Sequence, residues 1–435
     1  MKHIKIGLIG LGTVGAGVAK ILFEKKELIS SRLGACLDLV CAVDLDESKK
    51  QALSPGETVF SKDPDKVLED PDIDIIVEMI GGTGVAGDFI LRAIESGKHV
   101  VTANKALLAD RGRMILARAA EKGVDVGFEA SAGGCMPIVK TIRESMVGNE
   151  IEGIAGILNG TCNYILSRMW RDRIGFDEAL KDAMEKGFAE ADPSLDISGE
   201  DSAHKLAILT QLAHGVDVKP GDIYVEGIEK IEPIDIAFAE EFGFRIKLMA
   251  ISKRRGDAIE ARVHPAMIPV TNLLARVEDN LNAVTLSGDA TGDILLYGYG
   301  AGMMPTASVV AGDIADIARN MLSGASGRTP FFSCETKDSQ NAFIMPIKDI
   351  RTHHYIRISA LDRPGVLSRV AGALGDHHIS IRTVHQKGRR SNGAVPVVML
   401  THKAKESDMK AALSGMKDMA VVDGDPVLIR IEENA

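Results

Sequence analysis

Disulfides and cysteine-based zinc sites are the first features this sequence lacks. Its five cysteines (Cys36, Cys41, Cys135, Cys162 and Cys334) are odd in number, scattered and without CxxC spacing. That distribution excludes a disulfide framework and a structural zinc site, and it fits a reducing, cytoplasmic setting. An excess of positive charge is missing as well. The net charge is −10 and the pI near 5.6, which gives no general attraction to nucleic acid or to an anionic membrane as a partner. No apolar run approaches the roughly 20 residues of a membrane span. Lys2 and Lys5 ahead of an apolar stretch imitate a secretory leader, but Gly10, Gly12, Gly15 and Gly17 and the charged residues 24–27 are foreign to one. At 435 residues the chain has room for two or three domains with cores of their own.

What is present begins near the N-terminus. Residues 3–10, HIKIGLIG, read as a buried parallel strand, followed at once by GLGTVG and a helix with Val18, Ile21 and Leu22 on its apolar face. A strand, then Gly10, Gly12 and Gly15 in GxGxxG spacing, then a helix is the arrangement that binds a dinucleotide. The first glycine makes the turn, the second lets backbone approach a pyrophosphate, and the third lets helix and strand pack closely. The helix N-terminus, at Thr13 and Val14, then faces the phosphates. A second strand over 37–43 ends at Asp44, further along than the usual ~20 residues because residues 27–35 lengthen the preceding segment. A carboxylate there accepts from a ribose 2′-hydroxyl and repels a 2′-phosphate, favouring NAD over NADP. Lys49 and Lys50 soften that preference, and a plain loop role for Asp44 stays open.

Strands over 74–80, 99–102 and 124–129 alternate with helices over 85–96 and 106–122, which predicts an α/β domain built on an open, doubly wound, mostly parallel sheet. Ligands of such sheets lie beyond the C-terminal strand ends. That rule gathers Gly81, Gly82, the loop 102–105 and residues 129–136 around one crevice. Lys105 either meets an anionic cofactor or substrate there, or is a solvated lysine.

Beyond Pro137 a helix over 138–147 precedes an apolar strand closing on Asn159 and Gly160, read as a turn, with Thr161 or Asn163 near the next helix cap. A helix over 176–186 runs into GFAEADPSLDISGEDSAHKL (187–206), which crowds Glu190, Asp192, Asp196, Glu200 and Asp201 ahead of Lys205. With a helix over 202–215, Asp201 and Lys205 stand four apart and share a face. Acidic residues just before a helix also cap it, so a capped helix with a surface ion pair is an equal reading of this stretch alone. Hairpin-like pairs over 248–263 and 284–296 predict a second sheet in an α+β domain suited to dimer formation.

Six separated motifs now come together: GLGTVG (10–15), VVTANKALLA (100–109), FEASAGGCMP (128–137), GILNGTCNYIL (156–166), GFAEADPSLDISGEDSAHKLAIL (187–209) and YGYGAGMMPTAS (297–308). Over residues 1–320 the chain resembles homoserine dehydrogenase. That family interconverts L-homoserine and L-aspartate 4-semialdehyde with NAD or NADP, in the biosynthesis of threonine, methionine and isoleucine. The resemblance implies that Lys205 gives and takes the proton at the substrate oxygen beside Asp201, and that Lys105 bridges cofactor and substrate. It implies that Glu190 and Asp196, with Gly187, hold the substrate's amino group and hydroxyl. Hydride delivery to an aldehyde leaves an alkoxide needing a proton, and a cleft lysine beside a carboxylate supplies one. A structural sodium site is implied at Glu129 and the backbone of Ala132, Gly134 and Met136. There Cys135 replaces a glycine usual in the family, and a position needing positive φ would resist cysteine. Tyr299 stands where proline is usual, leaving Gly300 and Gly302 to approach the nicotinamide.

A helix over 302–320 returns, by the same analogy, to the nucleotide domain. The expected division is 1–135 with 302–320 for NAD(P) binding, 136–301 for catalysis and dimerisation, 321–353 as linker, and 354–435 as a separate module. That module reads βαββαβ, the ferredoxin-like order. Its DRPGVL turn and ISIRTVHQ strand resemble an ACT domain, which binds small amino acids. The resemblance implies an effector site at Asp362, Gly365 and Ile379, with threonine the expected effector, and a homodimer or tetramer. A purely structural dimerisation module is the alternative. Two readings of the whole chain stay beside this one. Another ACT-tailed Rossmann dehydrogenase, such as a 2-hydroxy-acid enzyme, would need a histidine, arginine and acid around the nucleotide domain, an arrangement the sequence does not show. A catalytically inert amino-acid sensor is opposed by intact GLGTVG, Glu190, Asp201, Lys105 and Lys205.

Overall fold

The computed structural model describes residues 1–53, 58–331, 342–386 and 393–433, and these form two compact units. Cys334 and residues 332–341 of the expected linker lie outside the described residues.

The first unit comprises Met1–Ile154, Asp201–Ile223 and Leu281–Ala342. Its centre is a six-stranded sheet of β1 (Lys2–Ile9), β2 (Ala35–Val43), β3 (Val59–Ser61), β4 (Ile75–Glu78), β5 (His99–Thr102) and β6 (Val126–Gly127). All neighbours run parallel, in the order β3-β2-β1-β4-β5-β6. This is the doubly wound dinucleotide-binding order, which reverses between β1 and β4 and opens a crevice there. The helices α1 (Thr13–Glu24), α2 (Lys26–Leu33), α3 (Asp65–Leu68), α4 (Val85–Glu95) and α5 (Lys105–Lys122) connect the strands. The expected α/β sheet is therefore present, with one strand more than the pattern predicted. β3 is an edge strand of three residues, too short to carry a period of its own. The expected strand over 124–129 shrinks to β6, because the chain turns into a tight helical turn at Glu129–Ser131. Ile4, Ile6, Leu8, Val18 and Leu22 share one core with Ala307, Val310, Ile314 and Ile317 of the helix Met303–Ser323.

The second unit comprises Ala155–Glu200, Tyr224–Asn280 and Phe343–Ala435. The stretch read as one catalytic domain, 136–301, thus contributes residues to both units. Its backbone is the antiparallel hairpin of Phe244–Arg255 and Ala258–Pro269. The free edge of Ala258–Pro269 takes three short parallel partners in succession: Phe343–Ile344, Tyr224–Val225 and the end of Val422–Ile431. The last of these belongs to the ferredoxin-like sheet, ordered Val422–Ile431, Arg351–Leu361, Ala394–Thr401, Ile381–Gln386 and antiparallel throughout. Val366–Asp376 and Glu406–Lys417 cover that sheet over a core of Ile356, Val370, Leu374, Met399 and Met409. The C-terminal module therefore shares a sheet with the hairpin instead of hanging from a linker.

Local readings shift in three places. Asn159, read as part of a turn, is itself the cap of the helix Gly160–Asp172, its side chain accepting from the Cys162 N–H at 2.8 Å. The helix expected over 138–147 is α-helical only at Ile138–Lys140 and widens into a π-helical turn at Thr141–Ser145. The helix expected from 202 begins at Glu200, so Asp201 lies inside its first turn and does not precede it as a cap.

The buried charges of this unit are answered by hydrogen-bond partners, neutral ones for Lys247 (Asn163 and the Val277 carbonyl) and charged ones elsewhere. Asp235, fully buried, accepts from Tyr355 Oη at 2.8 Å and from Arg357 Nε at 2.7 Å and Nη2 at 3.0 Å. Replacing one partner of such a cluster leaves buried donors unanswered, which costs roughly 3 kcal/mol. Trp170, the only tryptophan, sits in this unit with Nε1 donating to Glu240 at 3.1 Å. Asp235→Asn is therefore expected to lower the urea midpoint followed by Trp170 fluorescence; an unchanged midpoint would show that the cluster contributes nothing net.

Candidate functional site

The dinucleotide loop leaves the end of β1 and enters α1 at the point where the sheet order reverses. Gly10 has φ +99°, and a Cβ on Gly15 would collide with the Gly10 carbonyl oxygen. Both positions are thus closed to other residues by geometry. Gly12 has open space around it, and no side chain caps α1. Backbone N–H groups at that helix end remain for a phosphate. Asp44, one residue past β2, accepts from the Leu11 N–H at 2.7 Å, from the Asp46 N–H at 2.9 Å and from Lys49 Nζ at 3.2 Å. Burial alone would raise the Asp44 carboxyl, but these donors outweigh it and hold the group below the usual carboxylate range. An open glycine, an uncapped helix end and an ionised acid tied to the glycine loop fit a dinucleotide.

Next to β1, the end of β4 carries Glu78, which the sequence reading missed. Glu78 is fully buried and accepts from the Ile80 N–H at 2.8 Å, the Gly81 N–H at 3.0 Å and Thr102 Oγ1 at 2.7 Å. Asn104 donates to the Gly82 carbonyl at 2.7 Å and caps α5 by accepting from the Leu107 N–H. Glu78, Thr102 and Asn104 therefore tie the Gly81-Gly82 loop to the loop that presents Lys105. A glutamate at the end of an otherwise apolar strand was the available signal.

Lys105 opens α5, and its ammonium reaches Asp201 Oδ1. Lys205 Nζ donates to the other oxygen, Asp201 Oδ2, at 2.7 Å, four residues along the same helix. Asp201 is 4% exposed, whereas the Lys105 side chain remains 42% exposed. Burial would raise the Asp201 carboxyl, but Lys205 and Lys105 more than offset it and hold the group far below the usual range. One ionised carboxylate thus fixes two lysines side by side, one of them largely out of water. Of the two readings open for this stretch, the surface ion pair is not what forms: Asp201 and Lys205 are buried, and a third group, the partly exposed Lys105, joins them.

The acidic loop belongs to the second unit as far as Glu200. It contains a helical turn, Ser194–Ile197, where Asp196 Oδ1 accepts from Asn159 Nδ2 at 2.7 Å. Glu190 is exposed, and Gly187 takes φ +73° just past the helix Phe176–Glu185. In the C-terminal module, Asp362, Gly365 and Gln386 line a cavity of 230 Å³, and Gln386 Nε2 donates to Asp362 at 3.3 Å. Ile379 is 4% exposed and does not line that cavity; it lies behind it, in one core cluster with Val370, which does.

Comparison with known proteins gives one consistent result. The model for the homoserine dehydrogenase NAD binding domain matches residues 10–129, that for homoserine dehydrogenase 137–315, and that for the ACT domain 354–417. Homoserine dehydrogenases from Neisseria gonorrhoeae and Pseudomonas aeruginosa are 42% and 41% identical, over 99% and 100% of both chains respectively. The crystal structure of a homoserine dehydrogenase from Thiobacillus denitrificans matches with a TM-score of 0.93 and 42% identity, covering 100% of this chain and 99% of that one. The chain belongs to the homoserine dehydrogenase family. It is an oxidoreductase with a nicotinamide-cofactor domain and a C-terminal ACT domain. A hyperthermophilic archaeal homoserine dehydrogenase in complex with NADPH is similar over 72% of this chain and 97% of its own, with a TM-score of 0.62 and 26% identity.

The segment after β6 settles the backbone geometry at Cys135. The left-handed position is Gly134, at φ +62°, packed against Gly300, while Cys135 donates its N–H to the Tyr299 carbonyl at 3.0 Å. Cysteine meets no positive-φ penalty there. Glu129 is 3% exposed and accepts from the Val139 N–H at 2.6 Å and the Lys140 N–H at 2.9 Å. Its carboxyl is pushed up to about 7 by burial and by the nearby Asp313 carboxylate. Among the described residues, no group of three or more His, Cys, Asp or Glu side chains is placed to hold a metal ion. A cation here would therefore have to use backbone carbonyls.

Asp201 generates a test. Its folded-state pKa lies below that of the unfolded chain, so its contribution is complete above about pH 4 and is lost as the pH falls below that value. Asp201→Asn is expected to cost roughly 3 kcal/mol at neutral pH, since two ammonium groups then face a neutral amide. Calorimetry should also show a flatter acid branch of stability in the variant. An acid branch identical to that of the parent would remove Asp201 as its source.

Proposed function

We propose that Lys205 is the proton carrier of the homoserine dehydrogenase reaction, with Asp201 and Lys105 as its immediate partners. The observation that carries this reading is the shared carboxylate: one buried Asp201 holds one oxygen toward each lysine. The nicotinamide cofactor, when bound, supplies the hydride exchange. In the reducing direction the substrate's aldehyde oxygen gains negative charge, and the Lys205 ammonium donates a proton to it. In the oxidising direction the Lys205 amine, held in place by Asp201, takes the hydroxyl proton. Lys105, more exposed, contributes a fixed positive charge at the developing alkoxide. Glu190 and Asp196 are assigned to the substrate's α-ammonium and hydroxyl on the strength of the family motif and their carboxylate chemistry, with Gly187 allowing the loop its turn.

The same reading assigns Gly10, Gly12, Thr13, Val14 and Gly15 to the cofactor's phosphates, Asp44 to its ribose, and Gly81, Gly82 and Gly302 to the approach of its nicotinamide end. NAD is the preferred cofactor, because an ionised Asp44 opposes a 2′-phosphate. A structural sodium ion is assigned to Glu129 and the carbonyls of Ala132, Gly134 and Met136, a set of hard oxygen donors. The ACT domain is assigned threonine as its effector, with Asp362 meeting the ammonium and the helix start at Gly365 the carboxylate. Ile379 supports that cavity from the core. The protein is assigned to the cytoplasm as a homodimer or tetramer.

Steady-state kinetics test this reading directly. Purified enzyme is expected to oxidise L-homoserine, and Lys205→Ala to lower kcat by about 10²–10⁴-fold while the KM for cofactor changes little. Near-normal turnover in that variant would remove Lys205 from the proton transfer. Asp44→Gly is expected to raise the NADP:NAD ratio of kcat/KM by about tenfold. An unchanged ratio would take Asp44 out of the ribose site.

A further inference from the structure

The acidic loop is seated on a strip of three residues whose other face is gripped by the ACT domain. The strip is the short strand Tyr224–Val225 with Glu226, laid parallel along Arg262 and Val263 of the hairpin. The Ile228 N–H donates to the Ile197 carbonyl at 3.0 Å, and the Glu226 N–H to the Val263 carbonyl at 2.9 Å. Gly199 takes φ +90°, and a Cβ there would come within 3.1 Å of Val225 Cγ1 and 3.2 Å of Val263 Cγ1. Loop and strip are thus in direct packing contact, and a side chain at Gly199 would press on both valines. Gly199 immediately precedes the helix Glu200–His214, which carries Asp201 and Lys205.

On the far side stands Arg430, 1% exposed, from the last ACT strand. Its Nη1 donates to Glu226 Oε2 at 2.8 Å and its Nη2 to Tyr224 Oη at 3.3 Å, and its guanidinium stacks 5.0 Å from the Tyr224 ring centre. Tyr224 Oη in turn donates to Glu226 Oε2 at 3.0 Å. The other edge of the guanidinium is held by Glu406, 1% exposed, at the start of the ACT helix Glu406–Lys417. Every one of these groups belongs to the second unit. A planar fork with five donors suits this double grip in a way a lysine would not.

We propose that Arg430 is a positioning residue for the reaction: from the ACT domain it clamps Tyr224 and Glu226, and through Val225 and Gly199 it sets the pose of the acidic loop that carries Asp196. This rests on the assignment of that loop to the substrate. The ACT domain then acts on the acidic loop as a structural brace, in addition to any response to an amino acid. Loosening the brace degrades homoserine binding and leaves the dinucleotide loop unaffected.

The test compares Arg430→Lys, Glu226→Gln and Tyr224→Phe in the full-length enzyme. The last two weaken the polar contacts of Tyr224 and Glu226 without opening a cavity, and they decide the matter if Arg430→Lys fails to fold. Glu226→Gln and Arg430→Lys are expected to raise the KM for homoserine by about fivefold or more, with the KM for cofactor within about twofold of the parent. Tyr224→Phe is expected to act in the same direction but more weakly. Hydrogen exchange of residues 194–199 should quicken by about fivefold in Glu226→Gln while that of Phe176–Glu185 stays unchanged. A lowered melting temperature with both KM values and loop exchange unchanged would make the cluster merely structural and overturn the proposal. If the parent enzyme did not turn over homoserine, the functional assignment would fall, and loop exchange alone would then decide the clamp.

Discussion

A carboxylate removed from water persists as an anion only where positive charge and N–H groups replace its hydration, and Asp201 meets that condition with two lysines. The rest of the first unit can be understood as the means of delivering them. Lys205 comes with Asp201 on one helix, four residues apart. Lys105 arrives from the end of β5, in a loop tied down by Glu78, Thr102 and Asn104. Burial of Asp201 and Lys205 gives that pair its strength, because the screening that makes surface ion pairs nearly worthless is reduced there. It also gives direction, since each oxygen of one carboxylate is committed to one lysine.

The second unit solves a related problem with arginine. The hairpin strand Ala258–Pro269 is buried along almost its whole length, yet it carries Glu260, Arg262 and His264. Arg262 reaches Glu260 at 3.0 Å and also Glu432, one residue past the last ACT strand. A few residues away, Arg430 makes the complementary connection from the ACT strand to Glu226. Such pairs cost desolvation and add little net stability compared with an apolar core. What they contribute here is register: a parallel joint only two residue pairs long, Ala266 with Arg430 and Met267 with Ile431, is pinned by charge on both sides.

Features that depend on near neighbours were legible in the sequence. The glycine loop follows from φ at Gly10 and from contact between Gly10 and Gly15, five residues apart, and the pairing of Asp201 with Lys205 follows from helical periodicity. The βα alternation was legible for the same reason, with only the three-residue β3 escaping. Features that depend on two distant segments were not. Lys105 and Asp201 lie 96 positions apart, and Arg430 and Glu226 lie 204 apart. No period or cap connects such residues, and their pairing emerges only when the sheets are assembled. Asn159 shows a finer limit: asparagine before glycine signals a turn and a helix cap equally well, and the choice fell to the helix that followed it.

By itself, then, the sequence determined the class of chemistry. A GxGxxG loop between strand and helix, an acid after the second strand, and a lysine four residues from an aspartate leave few alternatives to a nicotinamide-dependent dehydrogenase, and the motif set narrows these to one family. Tertiary structure decided how the groups are held. It turned a possible surface pair into a cluster of three around a buried carboxylate and placed the positive φ on Gly134, sparing Cys135. It also joined the ACT strands to the hairpin of the second unit in one sheet. For the two features that involve charge the physical reason is the same. Periodicity and turn chemistry are written within a few residues, whereas desolvation, which sets the worth of a charge, is a property of the assembled interior.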